Sequence, residues 1–144
     1  MSVAARAFFY VQQVEQQVRR RIDECLQSEG ITAGQYMALS LVVHHEPVSS
    51  ADLARRATMT AQSMGEFMKT LEAKGFIARK GDPANRRVIQ VTSTPAGKKV
   101  LFQCESNVDQ AERDFFKCLS GEEVANLRHL MSRVRSAHLV QRTD

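Results

Sequence analysis

The stretch Ala51–Val91, ADLARRATMTAQSMGEFMKTLEAKGFIARKGDPANRRVIQV, decides the fold of this chain. It reads as a short helix, a turn at Thr58-Met59-Thr60, a second helix closing at Gly75, and a basic hairpin around GDPANRR. That is the order a winged helix-turn-helix requires. Charge gathers in the same place. Between Ser49 and Lys99 stand ten bases (Arg55, Arg56, Lys69, Lys74, Arg79, Lys80, Arg86, Arg87, Lys98, Lys99) against four acids (Asp52, Glu66, Glu72, Asp82), an excess of six. The other ten bases and twelve acids leave an excess of two negative charges. The positive excess therefore lies on the candidate reader, which is the footprint that phosphate binding asks for.

Composition sets the outer bounds. A chain of 144 residues, 43% hydrophobic and 25% charged, fits one globular domain with a real core. No run of about 18 apolar residues exists, so no membrane span is expected. Three cysteines (Cys25, Cys104, Cys118) without a CxxC spacing predict free thiols and a cytoplasmic location. The absence of Trp and the few aromatics argue against stacking on single strands. No nucleophile elbow, glycine-rich loop or metal motif supports an enzyme, and no cofactor is expected.

Outward from the reader the chain is helical. Apolar residues at Phe8, Val11, Val14, Val18, Ile22 and Cys25 predict a helix from Ala5 to about Ser28, with Gly30 ending it and Thr32 capping the next, from about Ala33 to His45. Ser49 or Ser50 caps the helix ending at Ala57, and Thr60 caps the one after it. Phe76–Lys80 and Val88–Thr92 form the hairpin strands. Thr94-Pro95 opens a long helix in which Leu101, Cys104, Val108, Ala111, Phe115 and Cys118 step by 3, 4, 3, 4, 3, the seam of a coiled coil. Ser120 with Glu123 makes a capping box for a last helix, whose apolar line is Val124, Leu127, Met131, Val134 and His138. One chain has too little other material to cover these terminal stripes, so a homodimer is expected, with two readers for two half-sites of a pseudo-palindrome in double-stranded DNA. The expected class is mainly α with a small β-hairpin wing. A winged helix-turn-helix lobe spans about 33–94, and helical dimerisation segments span about 5–30 and 95–142.

The DNA-facing set is Ser50, Thr60, Gln62, Ser63, Glu66, Lys69, Arg86 and Arg87. Short hydroxyls at Thr60 and Ser63 suit phosphate or base contacts. Gln62 suits an adenine edge and Glu66 a cytosine amino group, while Lys69 suits a phosphate or guanine. Gly65 removes bulk where the helix approaches the duplex. Met64, Phe67, Met68 and Leu71 form the inner face. Asp82-Pro83 sets the hairpin turn and Asn85 suits a left-handed position in it. Arg86 and Arg87, held on a rigid tip, suit a narrow minor groove, with Asp82 expected to orient one of them through a charge-assisted bond.

The segment from about Val48 to Gly97 resembles the MarR family of bacterial winged-helix transcription regulators. The matching residues are Asp52-Leu53-Ala54, Leu71-Glu72-Ala73-Lys74-Gly75, Asp82-Pro83 with Arg86-Arg87, and Thr94-Pro95-Ala96-Gly97. The helical flanks match the family's dimerisation region in layout. The resemblance implies that Arg87 enters the minor groove and that Arg86 contacts the backbone beside it. Asn85 stands where Asp is usual, Ser93 where Leu usually precedes the Thr, and Gly65-Glu66 replaces a commoner Ser-Arg type pair; these departures bear on the operator sequence.

The resemblance also implies a repressor, less often an activator, relieved by a small phenolic or aromatic acid, an oxidant or a metal. The family's ligand cleft lies between dimerisation helices and reader, where Phe8, Phe9, Tyr36, Met37, Ser40, His44 and Arg55 are the candidate lining. Among thiols Cys25 is the redox candidate, although Asp23-Glu24 beside it should raise its pKa; Cys104 and Cys118 on the seam read as inert and buried. Metal is the least supported signal. His44 and His45 diverge by about 100° on a helix, and His129 and His138 are nine residues apart. The rival of another class is a winged helix that binds proteins instead of DNA.

Overall fold

The computed structural model describes residues 5–139, apart from the side chains of Arg86 and Leu139. Helix α1 spans Ala7–Leu26 and tightens into a 3₁₀ turn over Gln27–Glu29, which ends at Gly30 in the left-handed region. Helix α2 (Ala33–His45) starts in a full capping box, with Thr32 Oγ1 accepting from the Gln35 N–H and Gln35 Oε1 accepting from the Thr32 N–H. Strand β1 (Val48–Ser49) precedes α3 (Ser50–Ala57) and α4 (Ala61–Ala73). Strands β2 (Ile77–Asp82) and β3 (Asn85–Ser93) lead into α5 (Pro95–Phe115) and α6 (Gly121–Leu139). The expected helices are all present, although the boundary expected near residue 142 lies outside the described residues.

Strand β1 was not expected. It pairs antiparallel with β3, Val48 opposite Val91 and Ser49 opposite Gln90, so the hairpin is part of a three-stranded sheet ordered β1-β3-β2. Two residues are too short to show an alternation, and the pairing is set by a partner some forty positions away. The hairpin strands also run further than their alternation shows, with Asp82 opposite Asn85 closing the loop after an irregularity at Gly81/Asp82.

The chain divides into two compact units within α5, between Asp109 and Gln110. In the first, Leu26, Leu39, Val42, Leu53, Met64, Met68, Leu71, Val91 and Cys104 are fully buried, so helices α1 to α5 and the sheet all contribute to one core. No polar or charged residue is fully buried among the described residues. Apolar burial of this kind, at about 25 cal/mol per Å², is the main force that holds the reader's helices in place. In the second unit Phe115 and Phe116 stack edge-on at 4.9 Å, and Ser120 and Glu123 exchange hydrogen bonds of 3.0 and 3.1 Å as the capping box predicted.

Candidate nucleic-acid interface

Local chemistry sets both ends of α3 and the start of α4. Ser49, not Ser50, is the α3 cap, its Oγ accepting from the Asp52 N–H at 3.1 Å; Ser50 is the first helical residue and is half-buried. The turn between α3 and α4 carries Thr58 at φ 55°, an unusual conformation for a β-branched residue. Its N–H and that of Met59 return to the end of α3, and Met59 packs against the core. Thr60 then caps α4, accepting from the Ser63 N–H at 3.1 Å and donating to Ser63 Oγ at 3.0 Å. The Ser63 hydroxyl thus keeps its own hydrogen for a further partner.

The helical period sorts α4 into two faces. Met64, Met68 and Leu71 are fully buried, as the inner-face reading predicts, and the half-buried Phe67 ring lies against Gly34 of α2. Gln62, Glu66 and Lys69 are exposed and fall at i, i+4 and i+7, so they share one outward face.

The wing is braced from within. Asp82 Oδ1 accepts from the Ala84 N–H at 2.8 Å, so it sets the turn, and no Asp82–Arg87 ion pair exists among the described residues. The short Asp side chain finds a donor two residues on, and the expected charge-assisted bond is absent for Arg87, while for Arg86 the expectation lies outside the described residues. Asn85 is not left-handed either; its Oδ1 accepts from the Arg87 N–H at 3.1 Å. Arg87 is exposed, and the Arg86 side chain lies outside the described residues.

Three braces around this surface were not foreseen. Arg79 of β2 grips Glu72 of α4 with two bonds, Nε to Oε2 at 3.0 Å and Nη2 to Oε1 at 2.9 Å, tying the wing to the recognition-type helix. That bond holds the Glu72 carboxyl below its usual pKa. Lys74 Nζ donates to the Gly30 carbonyl and to Gln35 Oε1, joining the end of α4 to the turn before α2. Glu46 accepts from the Ser93 N–H at 2.7 Å and lies 3.6 Å from Lys98 Nζ. A charge pair seven residues apart in sequence, Glu72 and Arg79, was the one available signal. With Arg55 paired to Asp52, the cations of this segment that lack an ion-pair partner among the described residues include Lys69, Lys80 and Arg87.

The candidate ligand residues are not gathered in one cavity. Phe8 and Phe9 are exposed at the start of α1, Arg55 is held by Asp52, and His44 Nδ1 donates to the Ser40 carbonyl at 2.7 Å. Tyr36 is half-buried, and burial, then the Glu105 carboxylate, keeps its phenol protonated well above the usual range. A groove of about 460 Å³ between α1 and α2 is lined by Val18, Ile22 and Met37 together with Asp23 and the Glu15–Arg19 ion pair; of the seven candidates it includes Met37 alone. Cys25 is half-buried, its thiol donating to the Ile22 carbonyl at 3.2 Å. Its pKa is raised as expected, but by burial first rather than by Asp23. Burial pushes the Cys104 thiol up to about 11. Cys118, expected to be buried, is exposed, because the last step of the seam falls past the end of α5. No described helix is long and apolar enough to cross a membrane, and the described residues hold no cluster of three metal-binding side chains.

Comparison with known proteins agrees with this geometry. A model of the MarR family matches residues 31–89. The putative transcriptional regulatory protein for the hcr operon of Thauera aromatica is 31% identical over 107 residues, 74% of this chain and 64% of that protein. The multiple antibiotic resistance protein MarR of Escherichia coli is 26% identical over 125 residues, 86% of this chain and 87% of that protein. The fold matches that of MepR in a S. aureus MepR–DNA complex with a TM-score of 0.83 at 20% identity, covering 93% of this chain and 99% of that one. The chain is similar to the MarR family of transcription regulators, with the family match over residues 31–89.

Proposed function

We propose that this chain is a homodimeric repressor that reads a two-fold related site in double-stranded DNA and releases it when a small aromatic or phenolic acid binds. The outward face of α4 lies in the major groove, where Gln62 takes an adenine edge, Glu66 a cytosine amino group and Lys69 a phosphate or guanine. Ser50, Thr60 and Ser63 contact the flanking strand. Arg87 enters the neighbouring minor groove with Arg86 beside it. One observation carries the reading: Gln62, Glu66 and Lys69 project together from a helix that Glu72 and Arg79 tie to the arginine-bearing wing. The likeness of the fold to DNA-bound MepR supports the same docking.

The dimer rests on apolar residues that this chain leaves uncovered. Phe8, Phe9 and Val11 on α1, Phe102 on α5, and Met131 and Val134 on α6 are all exposed. Such surface is characteristic of an interface, and a second copy covers it. The groove between α1 and α2 has the volume of a small-ligand site and an apolar wall of Val18, Ile22 and Met37, which supports a small aromatic ligand as the signal, while its Arg19 is already paired with Glu15. An oxidant signal finds less support, since burial holds the Cys25 thiol in its protonated form.

Selection of bound duplexes from a random pool tests the reading. Arg87→Ala is expected to weaken the selected duplex by about tenfold or more while the dimer persists. Gln62→Ala is expected to relax the preference at one base pair of each half-site. Parent-like affinity for Arg87→Ala and an unchanged profile for Gln62→Ala would contradict the assignment. Failure of the parent to select any duplex would favour the protein-contact alternative.

A further inference from the structure

Four of the seven glycines are explained by their backbone angle or by a close neighbour. Gly30 and Gly75 take left-handed φ angles of 65° and 78°. A Cβ would meet the Phe67 ring at Gly34 and the Phe76 carbonyl at Gly97. Gly81 and Gly121 have neither, but Gly81 lies at the irregularity of the hairpin and Gly121 is the first residue of α6, so both lie outside a helix interior. Gly65 is different. It sits inside α4 at ordinary helical φ, and a Cβ there would have no neighbour within 4 Å. Glycine is the poorest helix former after proline, so the fold loses stability at this position and gains no packing in return.

The neighbours of Gly65 show what the bare backbone adjoins. Gln62, Glu66 and Lys69 lie to one side of it on the outward face. Along its own flank, Ala61 lies one turn before it and Glu72 two turns after, and Glu72 grips Arg79 of the wing. In the docking proposed above, a duplex strand running from the face of α4 toward the wing would cross this flank. Glu66 adds a second constraint. A carboxylate is repelled by phosphates and favours only a base edge, so the helix must sit deep enough to carry it past the strand.

We propose that Gly65 is a specificity-determining residue: its missing side chain admits the sugar-phosphate backbone against α4 and sets the depth at which Gln62 and Glu66 reach the bases. This rests on the DNA-reading function proposed above. It makes glycine here a functional choice that costs stability, a conflict typical of binding surfaces.

The test uses full-length parent and Gly65→Ala proteins, a 30-base-pair duplex that the parent selects from a random pool, and a random-sequence duplex of the same length. Gly65→Ala is expected to raise Tm by about 2–4 °C. It is expected to weaken the selected duplex by about fivefold or more and the random duplex by much less. A smaller loss on the selected duplex overturns the role of Gly65 and leaves the DNA reading intact. An equal loss on both duplexes assigns Gly65 to general phosphate contact and overturns its part in specificity. A lowered Tm makes the glycine structural and overturns the inference. If the parent selects no duplex, the inference falls together with the function on which it rests.

Discussion

A Cβ built on Gly97 would sit 2.0 Å from the carbonyl oxygen of Phe76 and 2.9 Å from its carbon, both backbone atoms that cannot turn aside. The Thr94 N–H donates to the same carbonyl at 3.1 Å, so the sheet is fastened to α5 at this point. Gly97→Ala is expected to destabilise the fold by about 3 kcal/mol or more, measured as a lowered urea midpoint; a loss below about 1 kcal/mol would show that the contact relaxes easily. What was legible at this scale was chemistry confined to a few neighbouring residues. Thr32, Thr60 and the Ser120–Glu123 pair cap their helices as read, because a cap depends on residues two or three positions away. Thr58 was not legible, since its left-handed backbone runs against the preference of a β-branched side chain and follows from how Met59 meets the core. Asn85 was misread for the opposite reason: its side chain, rather than its backbone, supplies the turn.

Between elements, Glu46 is the clearest joint. It stands at the end of α2 and reaches the Ser93 N–H at the end of β3 and Lys98 in α5. Burial disfavours its charge, but Ser93 and Lys98 outweigh that penalty and hold its pKa below the usual value. A carboxyl whose pKa is lowered on folding contributes stability above its unfolded value of about 4.3, and that contribution is lost as pH falls through the folded value. Glu46→Gln is therefore expected to be less stable than the parent at pH 7, with the gap closing as the pH is lowered below about 4. A gap that stays constant with pH would remove the carboxylate from this role. Helix positions were legible from apolar spacing, and the hairpin from alternation around Asp82-Pro83. The joints at Glu46, Lys74 and Arg79 were not, since each depends on where separate elements meet in space.

For the whole molecule, the helical segments outside the reader present apolar residues that their own chain leaves in water. Phe8 is 84% exposed, Phe102 76% and Val134 57%. The a/d steps of α5 suggested an interface from the sequence, but Leu101 and Cys104 on that line pack into the chain's own core with Val108 against it, so the period reported burial and not what covers the helix. The same limit applies to the signal: seven residues chosen along α1 to α3 reduce to Met37 at the α1–α2 groove, since shared polarity does not place side chains in one cavity. The proposed function joins the two ends of this scale, a paired scaffold and two cationic readers.

The most direct measurement is an anisotropy titration of a labelled duplex, selected by the protein, at several salt concentrations. The expected result is saturation at two chains per site, with affinity falling by about a hundredfold or more between about 50 and about 200 mM salt. Binding by single chains, or an affinity that does not change with salt, would contradict the proposed dimer with its two cationic readers.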